Sequence, residues 1–186
     1  MINQKNPANG SLLISEPFML DPNFKRSVVL LAEHSPDGTL GFVLNQRSDF
    51  LVNELMLDCH TCLFPVFIGG PVDNNTLHFI HRCYDKLEGI EIRDGIYWGG
   101  DFEKLKKLIN DNQIQLHEVR FFVGYSGWGN EQLENELLQN SWLVSNEYSA
   151  DAVFAEDEEH LWKELVISMG PKFAHIANFP ENPMWN

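Results

Sequence analysis

Apolar positions in this chain fall in short runs broken by glycine, proline and asparagine, a rhythm of strands more than of helices. Leu12 to Ser15 and Ser27 to Glu33 read as strands, the second a buried run rich in Val and Leu. The turn His34-Ser35-Pro36-Asp37-Gly38 joins that run to a third strand, Thr39 to Asn45. Phe50 to Leu57 reads as a short helix. Phe64 to Ile68 and Thr76 to His81 are two more strands, separated by Gly69-Gly70-Pro71-Val72-Asp73. Ile90 to Tyr97 holds one or two short strands around an Arg93-Asp94-Gly95 turn, and Val119 to Tyr125 is another strand.

Helical spacing shows in three places. Phe102 to Asn110 puts Leu105, Leu108 and Ile109 on one face, with Asp101 as N-cap. Glu131 to Asn140 turns Leu133 and Leu137 inward and carries acids in its first turns, where the helix dipole favours them. Glu158 to Met169 has Asp157 as N-cap, an apolar face from Leu161 to Met169, and Gly170 as stop. Trp142 to Ser145 and Ala152 to Phe154 read as edge strands. Strand runs with only three or four helices predict an α+β fold with a mixed sheet.

Composition bounds the picture. At 186 residues and 44% apolar content the chain fits one domain, residues 10–186, behind a loose polar tail of residues 1–9. The longest stretch without a charged side chain, Cys59 to Val72, is short and broken by Pro65, Gly69 and Gly70, so no membrane partner is expected. With no apolar segment behind a basic start, the expected compartment is the cytoplasm, with three reduced thiols. Net charge is −14, and Phe121 to Trp162 has no Lys or Arg while acids recur from Glu131 to Glu159. Such a surface repels phosphate backbones, which argues against direct nucleic-acid binding.

The most chemical-looking segment is Gly124-Tyr125-Ser126-Gly127-Trp128-Gly129, a glycine-rich turn between a strand and an acidic helix. Gly124-x-Ser126-Gly127 approaches a nucleophile elbow, but Trp128 stands where that pattern needs glycine. Trp128 is either an exposed anchor or a core tryptophan, with core favoured by the usual burial of the residue. Cys59-His60-Thr61-Cys62 with His78, His81 and Cys83 looks at first like a zinc site. On a strand, however, His78 and His81 point to opposite faces. Gly69-Gly70-Pro71-Val72 could cradle an anion but lacks the Lys-Ser/Thr of a P-loop, and a tight turn explains it as well. Gln132 and Glu136 share a helix face at i and i+4. No metal and no cofactor is expected.

An ordered set of residues is similar to a known family. It comprises Gly10-Ser11-Leu12-Leu13-Ile14 with Pro17, and Asp21-Pro22-Asn23-Phe24 leading into Ser27 to Leu31. It continues through Glu33-His34-Ser35, Gly38, Gly41 and Val43-Leu44-Asn45, then Gly69-Gly70-Pro71-Val72 and the Gly124 to Leu137 block. Asn140, Trp142 and the closing Asn182-Pro183 to Asn186 complete it. Nearly end to end, the chain resembles the AlgH/YqgE family of small bacterial proteins, formerly grouped as a domain of unknown function. It departs from the family in having Gln46-Arg47-Ser48 where a proline often follows the asparagine, and Asn130-Glu131 where Pro-Gly is common. The cysteines lie outside the family pattern. The resemblance implies an α+β fold whose mixed sheet partly closes like a barrel, flanked by helices. It implies no established reaction, although some members are labelled transcriptional regulators.

Glycine turns and aromatics dominate the motif blocks, with no coherent nucleophile–base or metal set. The expectation is therefore a non-enzymatic binding or regulatory protein acting through a small molecule or a protein. Its site is expected where Gly69, Gly70 and Pro71 meet Gly127, Trp128, Gly129 and Gln132, closed by His34 and Asn45. The alternative is an enzyme on a small metabolite, with His34 as acid–base group and Glu136 as its partner.

Overall fold

The structure is a computed structural model that describes residues 5–56 and 58–179. Ten strands form one continuous sheet: β1 (Leu12–Ser15), β2 (Val28–Ser35), β3 (Gly38–Val43), β4 (Arg47–Leu51), β5 (Pro65–Ile68), β6 (Val72–His81), β7 (Ile90–Arg93), β8 (Ile96–Trp98), β9 (Val119–Trp128) and β10 (Trp142–Ser145). Their order is β10-β1-β2-β3-β9-β6-β8-β7, with β5 on β9 and β4 on β5. Every pairing is antiparallel except β5 with β9, so the sheet is mixed. The helices among the described residues are α1 (Val52–Leu55), α2 (Tyr84–Leu87), α3 (Phe102–Asn110), α4 (Gln132–Leu138), α5 (Ala150–Val153), α6 (Glu158–Ser168) and α7 (Pro171–Ala174).

Strand β9 holds the two halves of the sheet together. Its first half pairs with β5 and β6, at Phe121 with Val66 and Phe79, while its last residues pair with β3, at Gly127 with Leu40 and Trp128 with Thr39. Gly124 separates the two halves with φ +67, a conformation that glycine adopts without strain. The extra residue resets the alternation of faces, as a β-bulge does. Val123 joins the core that contains Phe121, whereas Tyr125, two residues on, packs against the core that contains Phe122. What the sequence reads as a turn after Tyr125 is thus a bulged strand that continues to Trp128.

Three cores follow from this. Phe42, Phe122, Ile80 and Leu30 pack with Leu161, Trp162 and Val166 of α6. Val66, Phe79 and Phe121 pack under Val52 of α1 and Leu105 and Ile109 of α3. Leu13, Val29, Leu31 and Val43 pack with Trp128, Trp142 and Leu133 of α4. Successive residues of β2 feed two different cores, which is why that segment reads as a nearly unbroken apolar run. The buried Arg120 of β9 lies over the Phe67 ring at 4.3 Å and donates to the carbonyls of Leu44 (2.8 Å) and Ala155. Burial pulls its pKa down to about 10, so it keeps its charge at neutral pH.

Several expectations are corrected. The sheet runs from β10 to β7 with no ladder between them, so it is open and not partly closed like a barrel. The described residues hold seven α-helices, more than three or four, because four of them are single turns too short to show periodicity. Ala152 to Phe154 is not an edge strand. Ser149 caps α5 there by accepting the Asp151 N–H at 3.2 Å. Phe50 belongs to β4, which leaves only Val52–Leu55 helical, and residue 57 lies outside the described residues. Asp101 caps α3 as expected, accepting from Lys104 N at 2.9 Å. No helix among the described residues is long and apolar enough to cross a membrane.

The cysteines are corrected too. Cys59 and Cys62 form a disulfide, with Cα atoms 5.5 Å apart, and only Cys83 is a free thiol. Burial and the Glu118 carboxylate push the Cys83 thiol up to about 11, which leaves almost no thiolate at neutral pH. Titration with an aromatic disulfide reagent is expected to find no fast thiol in the native protein and one after denaturation. All three should react only after denaturation with reductant. Three thiols without reductant would mean that the Cys59–Cys62 pair is open.

Candidate functional site

The signature residues converge on one side of the sheet, and mostly on each other. Trp128 is 4% exposed, so it is a core tryptophan. Its ring lies 6.0 Å from Phe24 and 5.9 Å from Trp142, and Phe24 meets Trp142 edge-on at 5.3 Å. One carboxylate ties the trio down. Both indoles donate to Glu136 Oε2, Trp128 Nε1 at 2.9 Å and Trp142 Nε1 at 2.7 Å. Gln132 Nε2 donates to Glu136 Oε1 at 3.1 Å, while Gln132 Oε1 accepts the Gly129 N–H at 3.0 Å. The i, i+4 pairing of Gln132 with Glu136 thus secures the start of α4 rather than a free ligand surface. The residue before α4, Glu131, has φ +60, the left-handed region that the family's common glycine would occupy more easily.

His34 stands in the same row. It is paired with Thr39 across β2 and β3, and Thr39 is paired with Trp128 across β3 and β9, so the three side chains share a face. His34 Nδ1 is 2.7 Å from Thr39 Oγ1, and its backbone N–H donates to Asn9 Oδ1 at 2.7 Å. His34 Nδ1 is engaged by Thr39, and both Glu136 carboxylate oxygens accept hydrogen bonds, from Trp128, Trp142 and Gln132.

Asn45 stands away from His34, at the far end of β3 beside Gly69, where Val43 N–H donates to Gly69 O and Gln46 O accepts the Ile68 N–H. Its side chain spans backbone beyond the end of β3, accepting the Val28 N–H at 2.8 Å and donating to Arg26 O at 2.9 Å. Gly69 and Gly70 press against the β9 bulge. Gly69 N–H donates to Val123 O, and Gly69 O accepts from Val43 N–H and from the buried Ser126 hydroxyl at 3.0 Å. Ser126 is therefore a structural contact, not an exposed nucleophile on an elbow. Side chains would not fit at these glycines. A Cβ on Gly69 would lie 2.4 Å from Gly124 O, and one on Gly70 would lie 2.3 Å from the Tyr125 carbonyl.

On the opposite face of the same strands lies a shallow groove of about 510 Å³. Glu33, Leu40 and Gly127 stand side by side across β2, β3 and β9, and Gly127, with no side chain, leaves the gap. Leu40 and Tyr125 wall it, Val72 and Gly129 contribute to its rim, and the Asp and Glu side chains that line it are Glu33 and Asp37. Of the predicted residues, Gly127, Trp128 and Gly129 line the groove, His34 lies beside it on the β2–β3 hairpin, and Pro71 adjoins Val72. Tyr125, Leu40, Val72, Glu33 and Asp37 were missed. Their signal is cross-strand register, which a linear reading does not contain.

Among the described residues, no three His, Cys, Asp or Glu side chains come together as a metal-binding group. His78 and His81 do face opposite ways, His78 against Phe42, Trp98 and Tyr125 and His81 onto Gly99 O at 2.8 Å.

Comparison with known proteins settles the family. The profile described as AlgH-like matches residues 12–174. The chain belongs to the AlgH-like family. It is 41% identical over 179 residues to a UPF0301 protein of Cytophaga hutchinsonii, covering 95% of this chain and 98% of that one. A UPF0301 protein of Chlorobium limicola is 43% identical over 182 residues, covering 95% of each. Two solved structures share the fold: a crystal structure of a protein from Corynebacterium diphtheriae, TM-score 0.78 over 95% of each chain, and the solution structure of AlgH from Pseudomonas aeruginosa, TM-score 0.73 over 96% of this chain and 98% of that one. Both are 23% identical, so they speak to the fold alone.

Proposed function

We propose that this AlgH-like protein is a non-enzymatic binding or regulatory protein of the cytoplasm, acting through a small molecule or a protein seated in the Gly127 groove. The observation that carries the reading is the gap itself. In the row Glu33–Leu40–Gly127 the position nearest the signature tryptophan has no side chain, although a Cβ there would meet only the Tyr125 ring, at 3.4 Å. The other signature groups have structural partners: Glu136 holds two indoles, and Ser126 and Asn45 bond backbone. They support the groove by fixing the strand that carries Gly127. In the same reading Gly69, Gly70 and Pro71 brace β9, Gly129 stands at the groove's rim, and the side chains of Trp128, Gln132, Glu136 and His34 hold the opposite face in shape. The enzymatic alternative draws no support from the contacts of His34 and Glu136.

The acids Glu33 and Asp37 make the groove a place for a neutral or basic partner and disfavour a phosphate backbone. Filling the gap tests the reading. Gly127→Leu is expected to melt within about 2 °C of the natural protein, because the site has room for it. A thermal-shift screen of metabolites, nucleotides and basic peptides should then separate the two proteins. A true groove ligand at a hundred times its Kd adds about 2.7 kcal/mol. That is roughly 5–10 °C at this size, and the rise should vanish in Gly127→Leu. Equal shifts in both proteins would remove the groove as the site. So would a silent screen combined with identical pull-downs.

A further inference from the structure

The helical cover of the second core stops one row short. Val66, Phe121 and Phe79 stand side by side on β5, β9 and β6 and are at most 6% exposed beneath α1 and α3. The next row on the same face is Ile68, Val123 and Leu77. Here Ile68 is 40% exposed and the other two are half-buried. A sheet face normally stays covered by its layer of helices. At this row there is instead a cavity of about 520 Å³, lined by Leu77, Val123, Phe79, Phe102, Leu55 and Met56.

Its rim has a separate origin. On β6, Val72 pairs with Tyr125 but Leu77 pairs with Val123, so five residues of β6 advance against two of β9. The residues between the two pairs, Asp73 to Thr76, bulge out and bring Asn74 and Asn75 to the cavity. Their carboxamides make no hydrogen bond among the described residues. No charged side chain lines the cavity.

We infer that this cavity binds an uncharged small molecule with an apolar body and a carbonyl or amide end. The volume lies within the range of roughly 300–1,000 Å³ usual for ligand pockets, and apolar walls with a few polar groups are their usual make-up. Carboxamides both donate and accept, so two of them match a carbonyl or amide group. A charged ligand would lose hydration with no counter-charge among the lining residues. Met56 lets the wall adapt to an irregular shape. This site lies on a different sheet face from the Gly127 groove and does not depend on it.

The test is a fluorescence titration with Nile red, an uncharged dye with a carbonyl. One saturable site is expected on the natural protein and on Leu20→Glu, whose side chain is 95% exposed elsewhere. Gly127→Leu should bind the dye equally well. Val123→Glu should weaken binding at least tenfold. Asn75→Asp, on the exposed bulge where folding is not at risk, should weaken it at least threefold. Absence of a saturable site on the natural protein would overturn the inference, and so would affinity unchanged by both Val123→Glu and Asn75→Asp. Concentration-dependent dimers that Val123→Glu dissolves, with no dye uptake, would assign the face to a second copy of the chain and equally overturn it.

Discussion

Trp128→Ala is expected to lower the unfolding free energy by about 3–5 kcal/mol, the usual cost of emptying a buried aromatic site. The side chain is 4% exposed, stacks with Phe24, meets Trp142 edge-on and gives Glu136 one of its two indole hydrogen bonds. At this chain length the melting point should fall by roughly 6–20 °C. Trp128→Phe separates packing from hydrogen bonding. It keeps most of the ring but removes the Nε1 donor, and is expected to cost about 1–3 kcal/mol. Urea denaturation followed by tryptophan fluorescence reads both. A Trp128→Ala protein within 2 °C of the natural one would mean that the Phe24–Trp128–Trp142 cluster does not hold the fold. The same result bears on function. Loss of binding in Trp128→Ala would follow from unfolding, which is why Gly127, not Trp128, is the position to substitute when the groove is tested.

Gly70→Ala is expected to be about as damaging, by the opposite mechanism. A Cβ there would lie 2.3 Å from the carbonyl carbon and oxygen of Tyr125 and 2.4 Å from Ser126 N. All three are backbone atoms of the central strand, and no side-chain rotation relieves them. Forcing the β5–β6 connection away from β9 should cost at least about 3 kcal/mol, the upper end for overpacking. Gly127→Ala, in the same signature, should change stability by under about 0.5 kcal/mol, since its Cβ would meet only an aromatic edge. Parallel thermal melts of the two variants give the answer directly. Equal losses would mean that the approach of Gly69–Gly70 to the Gly124 bulge is not close in the folded protein.

These two glycines illustrate how much of the site could be read from the chain. Both sit in signature blocks and look equivalent in sequence. Gly69-Gly70 reads as either an anion cradle or a close approach, and the close approach is what it makes, against the strand that crosses over it. The pairing of Gln132 with Glu136 is legible as an i, i+4 relation, but what Glu136 holds is not. Its two indole donors come from residues 128 and 142, and only folding makes them neighbours. Asn45 was expected beside the glycine turns. It does lie beside Gly69, at the other end of β3 from Gly127, and its amide bonds the backbone of Val28 and Arg26, a role that any Asn near a strand end can take.

By itself the sequence determined the α+β class, most strands, the two long helices Phe102–Asn110 and Glu158–Ser168, and, through the ordered signature, the family. These rest on local periodicity, capping and residue order, all written along the chain. Tertiary structure decided the rest. Gly124 became a bulge and not a turn because β9 had partners on both sides beyond it. The sheet stayed open because no ladder joins β10 to β7. Trp128 went inward because Phe24, Glu136 and Trp142, distant in sequence, arrive on one face. The groove and the apolar cavity exist because a side chain is missing from one cross-strand row and a helix from another. Such rows are made of residues tens of positions apart, and their register is fixed only when the strands pair.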